Sequence, residues 1–100
     1  MDKNKELKHI AEHYGIDAQL EKTKEELNEL VEEVEKFQQF KKNYVLYRMI
    51  DEIADVENMI DQLKLLLKIA AEVDEVKEYK IARQLKRISE EGINNDRVSI

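Results

Sequence analysis

Cysteine and proline are missing from this 100-residue chain, and glycine occurs only at Gly15 and Gly92. Without cysteine there is neither a disulfide framework nor a thiolate metal site, a composition that suits a reducing cytoplasm, the expected location. Without proline, and with Glu, Lys, Leu and Ile in abundance, helix is favoured over strand throughout. No apolar run approaches the roughly 20 residues that span a bilayer. The opening Met1-Asp2-Lys3-Asn4-Lys5 lacks the apolar segment of a signal peptide, so neither insertion nor secretion is expected. No basic block forms a duplex-binding surface, and the formal charge is −6, so nucleic acid is not an expected partner. Serine is confined to Ser89 and Ser99, far in sequence from His9 and His13, and no Gly-rich phosphate loop exists. Serine-nucleophile chemistry is thereby excluded.

What is present reads as one all-α domain. Apolar residues recur at helical spacing in four segments. The first, 4–13, places Leu7, Ile10 and Ala11 on one side and stops at Tyr14-Gly15, with Asp17 as the next N-cap. The second, 18–42, carries Leu20, Leu27, Leu30, Val31, Val34 and Phe37, with a break at Asn43. The third, 44–71, carries Met49, Ile50, Ile53, Val56, Ile60, Leu63 and Leu67. The fourth, 73–90, carries Val73, Val76, Ile81, Leu85 and Ile88 and is predicted to end at Gly92. Residues 1–92 form the domain and 93–100 a flexible tail. The apolar spacing does not hold a strict heptad, which favours an antiparallel bundle over a coiled-coil hairpin. A lone domain of this size leaves much apolar surface uncovered, so a homodimer or homotetramer is expected to complete it.

Acidic residues carry the chemical signal. Glu25-Glu26-Leu27-Asn28-Glu29 lies on the second segment and Glu52-Ile53-Ala54-Asp55 on the third. Residues three apart share a helix face, so Glu26 with Glu29, and Glu52 with Asp55, each form a pair able to grip one cation. Two facing pairs make an all-oxygen site, which selects magnesium or manganese over zinc. Glu52 falls on the flank of the apolar stripe and Asp55 at its margin, whereas solvating carboxylates sit opposite a core. Glu26, Glu29 and Glu33 share a flank with Leu30, Phe37 and Phe40. On a chain that is 40% charged, the spacing alone also fits ordinary surface charges.

The string Glu-Glu-x-x-Glu, a gap of 22 residues and Glu-x-x-Asp resembles the signature of the MazG-like, all-α nucleotide pyrophosphohydrolases, relatives of the dimeric dUTPases. His13-Tyr14-Gly15, Gln19-Leu20, Lys22, Asp61-Gln62-Leu63-Lys64 and the spacing from Val76-Lys77 to Lys80 and Arg83 resemble short, phage-type members. The likeness covers about residues 8–90. It implies metal ligands at Glu26, Glu29, Glu52 and Asp55 for Mg2+, with Mn2+ as substitute. It implies a catalytic acid set of Glu25, Glu26 and Glu29, Glu25 supporting a water and Glu26 or Glu29 accepting its proton. The implied reaction splits a nucleoside triphosphate between its α and β phosphates, giving a monophosphate and pyrophosphate. Two departures concern substrate range: Glu57 stands where many relatives are more apolar, and 36–48 is short, with no glycine-rich loop.

A triphosphate needs cations, for which Lys22, Lys36, Lys64, Lys80 and Arg83 are candidates and Lys36, Lys80 and Arg83 are preferred. Phe37 is the preferred base-stacking aromatic among Tyr14, Phe37, Phe40, Tyr44 and Tyr47, although aromatics at helical spacing also serve as core. His9-Ile10-Ala11-Glu12-His13 matches the H-x-x-E-H zinc string, but that chemistry needs a distant third ligand and a large cleft. The rival to an enzyme is a non-enzymatic helical-bundle interaction protein.

Overall fold

The computed structural model describes the backbone of residues 2–98 and the side chains of residues 2–92. Among these residues the chain is entirely α-helical: α1 Lys3–Tyr14, α2 Ile16–Phe40, α3 Asn43–Leu67 and α4 Ala70–Val98. Asp2 caps α1, its carboxylate accepting from the Asn4 backbone N–H at 3.0 Å. Gly15 has φ 87°, a value that L side chains avoid, and its N–H closes α1 on the Ala11 carbonyl. It also serves as the N-cap of α2, so Asp17 lies inside the first turn rather than at the cap.

The next two breaks have no glycine. Lys41, with φ 49° and ψ 43°, ends α2, and Lys68, with φ 58° and ψ 45°, ends α3; both are left-handed. Asn43 is consequently the first residue of α3 rather than the break, and α3 stops at Leu67, short of the expected Ala71. The stop expected at Gly92 is not taken, and α4 continues to Val98. A glycine inside a helix costs about 1 kcal/mol relative to alanine but stops it only where the backbone turns to positive φ, which Gly92 does not do. The tail expected over 93–100 is helical as far as Val98, and its side chains, with Ser99 and Ile100, lie outside the described residues.

The chain divides into two compact units, Met1–Lys68 and Ile69–Ile100. In the first, α2 and α3 form an antiparallel hairpin with α1 packed across it, mostly against α3. In the second, α4 is a single amphipathic helix whose Val76, Tyr79, Ile81, Leu85 and Ile88 are exposed.

The interior of the first unit coincides only in part with the face that hydropathy picks out: Leu30, Phe37, Met49 and Val56 of the expected stripes lie inward, and the rest of the seam is largely polar. On α2 the inward seam is Gln19, Thr23, Glu26, Leu30, Glu33 and Phe37; on α3 it is Val45, Met49, Glu52, Val56, Met59 and Gln62. These positions recur every three or four residues, the spacing of packed helices. Leu20, Leu27, Val31 and Val34 on α2, and Ile50, Ile53, Ile60 and Leu67 on α3, are exposed. Much of each apolar stripe therefore faces outward, because α1 and the hairpin close on the stripe that carries the acids. No helix among the described residues is long and apolar enough to cross a membrane.

Candidate metal centre

Two helical periodicities bring the acids together. Glu26 lies on the α2 seam, and Glu52, one seam position, stands with Asp55 one turn apart on α3. Because the hairpin is antiparallel, these stretches face each other. One carboxylate oxygen from each of Glu26, Glu52 and Asp55 lies within 4.8 Å of the others. Glu26 is only 6% exposed, Glu52 half-buried and Asp55 exposed, so the cluster opens on one side to solvent.

Two of the three carboxylates also carry an unused oxygen: the Oε2 atoms of Glu26 and Glu52 are buried without a hydrogen-bond partner, as is Oε2 of Glu33. Buried carboxylate oxygens without donors are costly unless a cation or proton meets them. Around one magnesium ion, with bonds of about 2.1 Å, oxygens are up to about 4.2 Å apart. A spread of 4.8 Å therefore fits such an ion after a small contraction.

Electrostatics agree with the geometry. Burial, with Glu29 and Glu26 alongside, pushes the Glu52 carboxyl up to about 7. Burial and the nearby Glu26 and Asp51 also raise Asp55. Burial acts upward on Glu26 too, but the Lys22 ammonium, 3.2 Å from its Oε1, and proton sharing with Glu29 and Glu52 outweigh it and leave Glu26 below the ordinary carboxylate range. Like charges cannot all ionise in one small volume, so without a cation the cluster retains a proton near neutrality.

The remaining sequence candidates are placed unevenly. Glu29 adjoins Glu52 and Glu26 but is exposed and outside the tightest group of oxygens. Glu25 is exposed and outside the group of three, its Oε2 lying 3.5 Å from the same Lys22 Nζ that pairs with Glu26. Lys36 pairs with Glu33 at 3.5 Å. Phe37, one turn beyond Glu33, is half-buried in a small groove with Val34 and Met49 at the closed end of the hairpin. Lys64 is held by Asp61 at 3.4 Å. Lys80 and Arg83 belong to the second unit, where Lys80 lines a shallow groove with Val73 and Val76 and the Arg83 guanidinium lies 5.7 Å from the Tyr79 ring centroid. His9 and His13 are exposed on α1 and join no third ligand among the described residues, while Glu12 pairs with Lys8 at 3.8 Å.

Two residues that the sequence left in the background stand out. Lys22, one candidate cation among several, is the only lysine bonded to the acid cluster among the described residues. Glu33 extends the acid seam one turn further, and its spacing of seven from Glu26 and four from Glu29 already placed it there. Set against models of known families, curated proteins and solved structures, the chain matches none.

Proposed function

We propose that this chain is a magnesium-dependent nucleotide pyrophosphohydrolase of the MazG-like kind, acting as a homodimer or homotetramer. It converts a ribo- or deoxynucleoside triphosphate to the monophosphate and pyrophosphate. The convergence of Glu26, Glu52 and Asp55 oxygens within 4.8 Å, from two helices, carries this reading. Unpartnered Oε2 atoms on two of those residues support it. An all-carboxylate donor set suits Mg2+, or Mn2+ in its place.

Glu26, Glu52 and Asp55 would hold the ion, with Glu29 at its open side. When bound, a divalent ion supplies positive charge against the phosphates and acidifies water. A water oxygen attacks the α phosphorus, the bond from that phosphorus to the bridging oxygen breaks, and pyrophosphate leaves. Glu29, solvent-facing and beside Glu52, is placed to take the proton of the attacking water, the role of a general base. Lys22 is placed to exchange its carboxylate partners for a phosphate.

The test is pyrophosphate release from a panel of ribo- and deoxynucleoside triphosphates with magnesium, with manganese and with chelator. Metal-dependent release with a monophosphate as co-product is expected. No release from any nucleotide with either metal would overturn the proposal. The exposed apolar faces of α2 and α3 would then favour a non-enzymatic assembly protein.

A further inference from the structure

A groove of about 600 Å³ runs along the first unit beside the acids. That volume is in the range of small-molecule sites. Ile10, Tyr14, Ala18 and Met59 supply its apolar walls, and Lys22 and Glu25 form the rim it shares with the acid cluster. Gln19 and Gln62 also line it, although they are only 5% and 4% exposed.

These two amides are joined across the hairpin, Gln19 Nε2 donating to Gln62 Oε1 at 2.6 Å. Gln62 Nε2 donates in turn to the Met59 sulfur at 3.6 Å, a weak acceptor. Each amide has two N–H groups and a carbonyl with two lone pairs. The bonds they make leave a second N–H on each, and the Gln19 carbonyl, for other partners. A pair that served only packing would be replaceable by two leucines at little cost, since burying both polar partners yields little net stability. Thr23, whose hydroxyl donates to the main-chain carbonyl of Gln19 at 2.6 Å, fixes the backbone beneath the pair and leaves the Gln19 side-chain oxygen unengaged.

We propose that this groove binds the nucleobase and that the Gln19–Gln62 pair reads its hydrogen-bonding edge, an inference that rests on the hydrolase reading for its link to turnover. Gln19 stands seven residues, two turns or roughly 10 Å, from Glu26 on the same face of α2. That is the scale separating a base from the phosphates of its own nucleotide, and Lys22 lies between the two. Tyr14 and Met59 flank the plane of the base, and the amides meet its edge. A site built to hydrogen-bond an edge discriminates strongly against bases that lack it.

The test uses the four common nucleosides, without phosphate or metal, titrated into the 15N-labelled protein. One nucleoside is expected to shift the Gln19 and Gln62 side-chain amide signals saturably and more than the others do. Gln62→Leu, with its helical spectrum and magnesium affinity retained, is expected to weaken that nucleoside about tenfold and to level the ranking. Amide signals that no nucleoside moves, or an unchanged ranking in a folded Gln62→Leu, would overturn the proposal. If Gln62→Leu does not fold, the wild-type titration alone decides. Nucleoside binding without pyrophosphate release would refute the hydrolase and leave the groove standing; release with unmoved amides would do the reverse.

Discussion

At the scale of single residues, the cluster is a set of carboxylates whose mutual repulsion the Lys22 ammonium offsets chiefly at Glu26. Removing one charge should therefore weaken cation binding without harming the fold. Asp55→Asn is expected to lower Mg2+ affinity at least about tenfold, as titration calorimetry would show, and to leave the melting temperature of the metal-free protein unchanged or higher. A lower melting temperature with unaltered Mg2+ affinity would remove Asp55 from the site. Glu52 adds a pH dependence. Its carboxyl titrates near 7 in the folded chain and near 4.5 when unfolded. Between those values the folded state binds more protons, so stability is lost as pH rises through the window. Thermal melts of metal-free protein from pH 5 to 8 should show that decline. Glu52→Gln, which cannot ionise, should flatten it, and an identical slope in the variant would sink the assignment.

At the scale of elements, both turns flanking α3 place a lysine in left-handed backbone. That conformation costs an L residue roughly 1–2 kcal/mol relative to glycine. Lys41→Gly should accordingly stabilise the hairpin by about 1 kcal/mol in denaturant unfolding, and a destabilised variant would show that the lysine side chain has an unrecognised role. These turns also mark where the sequence is hard to read. The stop at Gly15 was legible because glycine is the usual residue at positive φ; the end of α2 was signalled by Asn43, two residues late, and nothing at Lys68 announces a helix end. The number and type of helices followed from periodicity, and three-residue spacing gave Glu26 with Glu29 and Glu52 with Asp55 as same-face pairs, whereas the gathering of acids from both helices was implied by the resemblance and not by spacing. Which face turns inward was legible only in part, at Leu30, Phe37, Met49 and Val56. Hydropathy selected the Leu20, Leu27 and Val31 side of α2, while packing buried the Gln19, Thr23 and Glu26 side. A seam rich in polar groups is distinguished only by the partner groups it meets across the hairpin, and those belong to tertiary structure. Lys22 was underrated for a different reason: its two contacts, Glu25 and Glu26, lie three and four residues further along α2 and were within reach of helical spacing alone.

At the scale of the whole molecule, the first unit buries few apolar side chains, with Leu7, Ala11, Val45, Val56 and Met59 its fully inward ones, and exposes many others. Self-association would cover those outward faces, and stability would then depend on concentration. The melting temperature is expected to rise over a hundredfold increase in protein concentration and again on adding Mg2+. A value independent of protein concentration would mean that the monomer stands alone, and one independent of Mg2+ would count against the metal site. The polar seam has one more consequence. Gln19, Thr23, Glu26 and Gln62 occupy the places where a bundle selected only for durability would put leucine and isoleucine. On the proposed reading interior and binding surface are the same residues, and improving one degrades the other. Selection for heat resistance alone should enrich apolar replacements along this seam and silence the protein as it toughens it, whereas variants that harden it without loss should map to the outer faces and the turns.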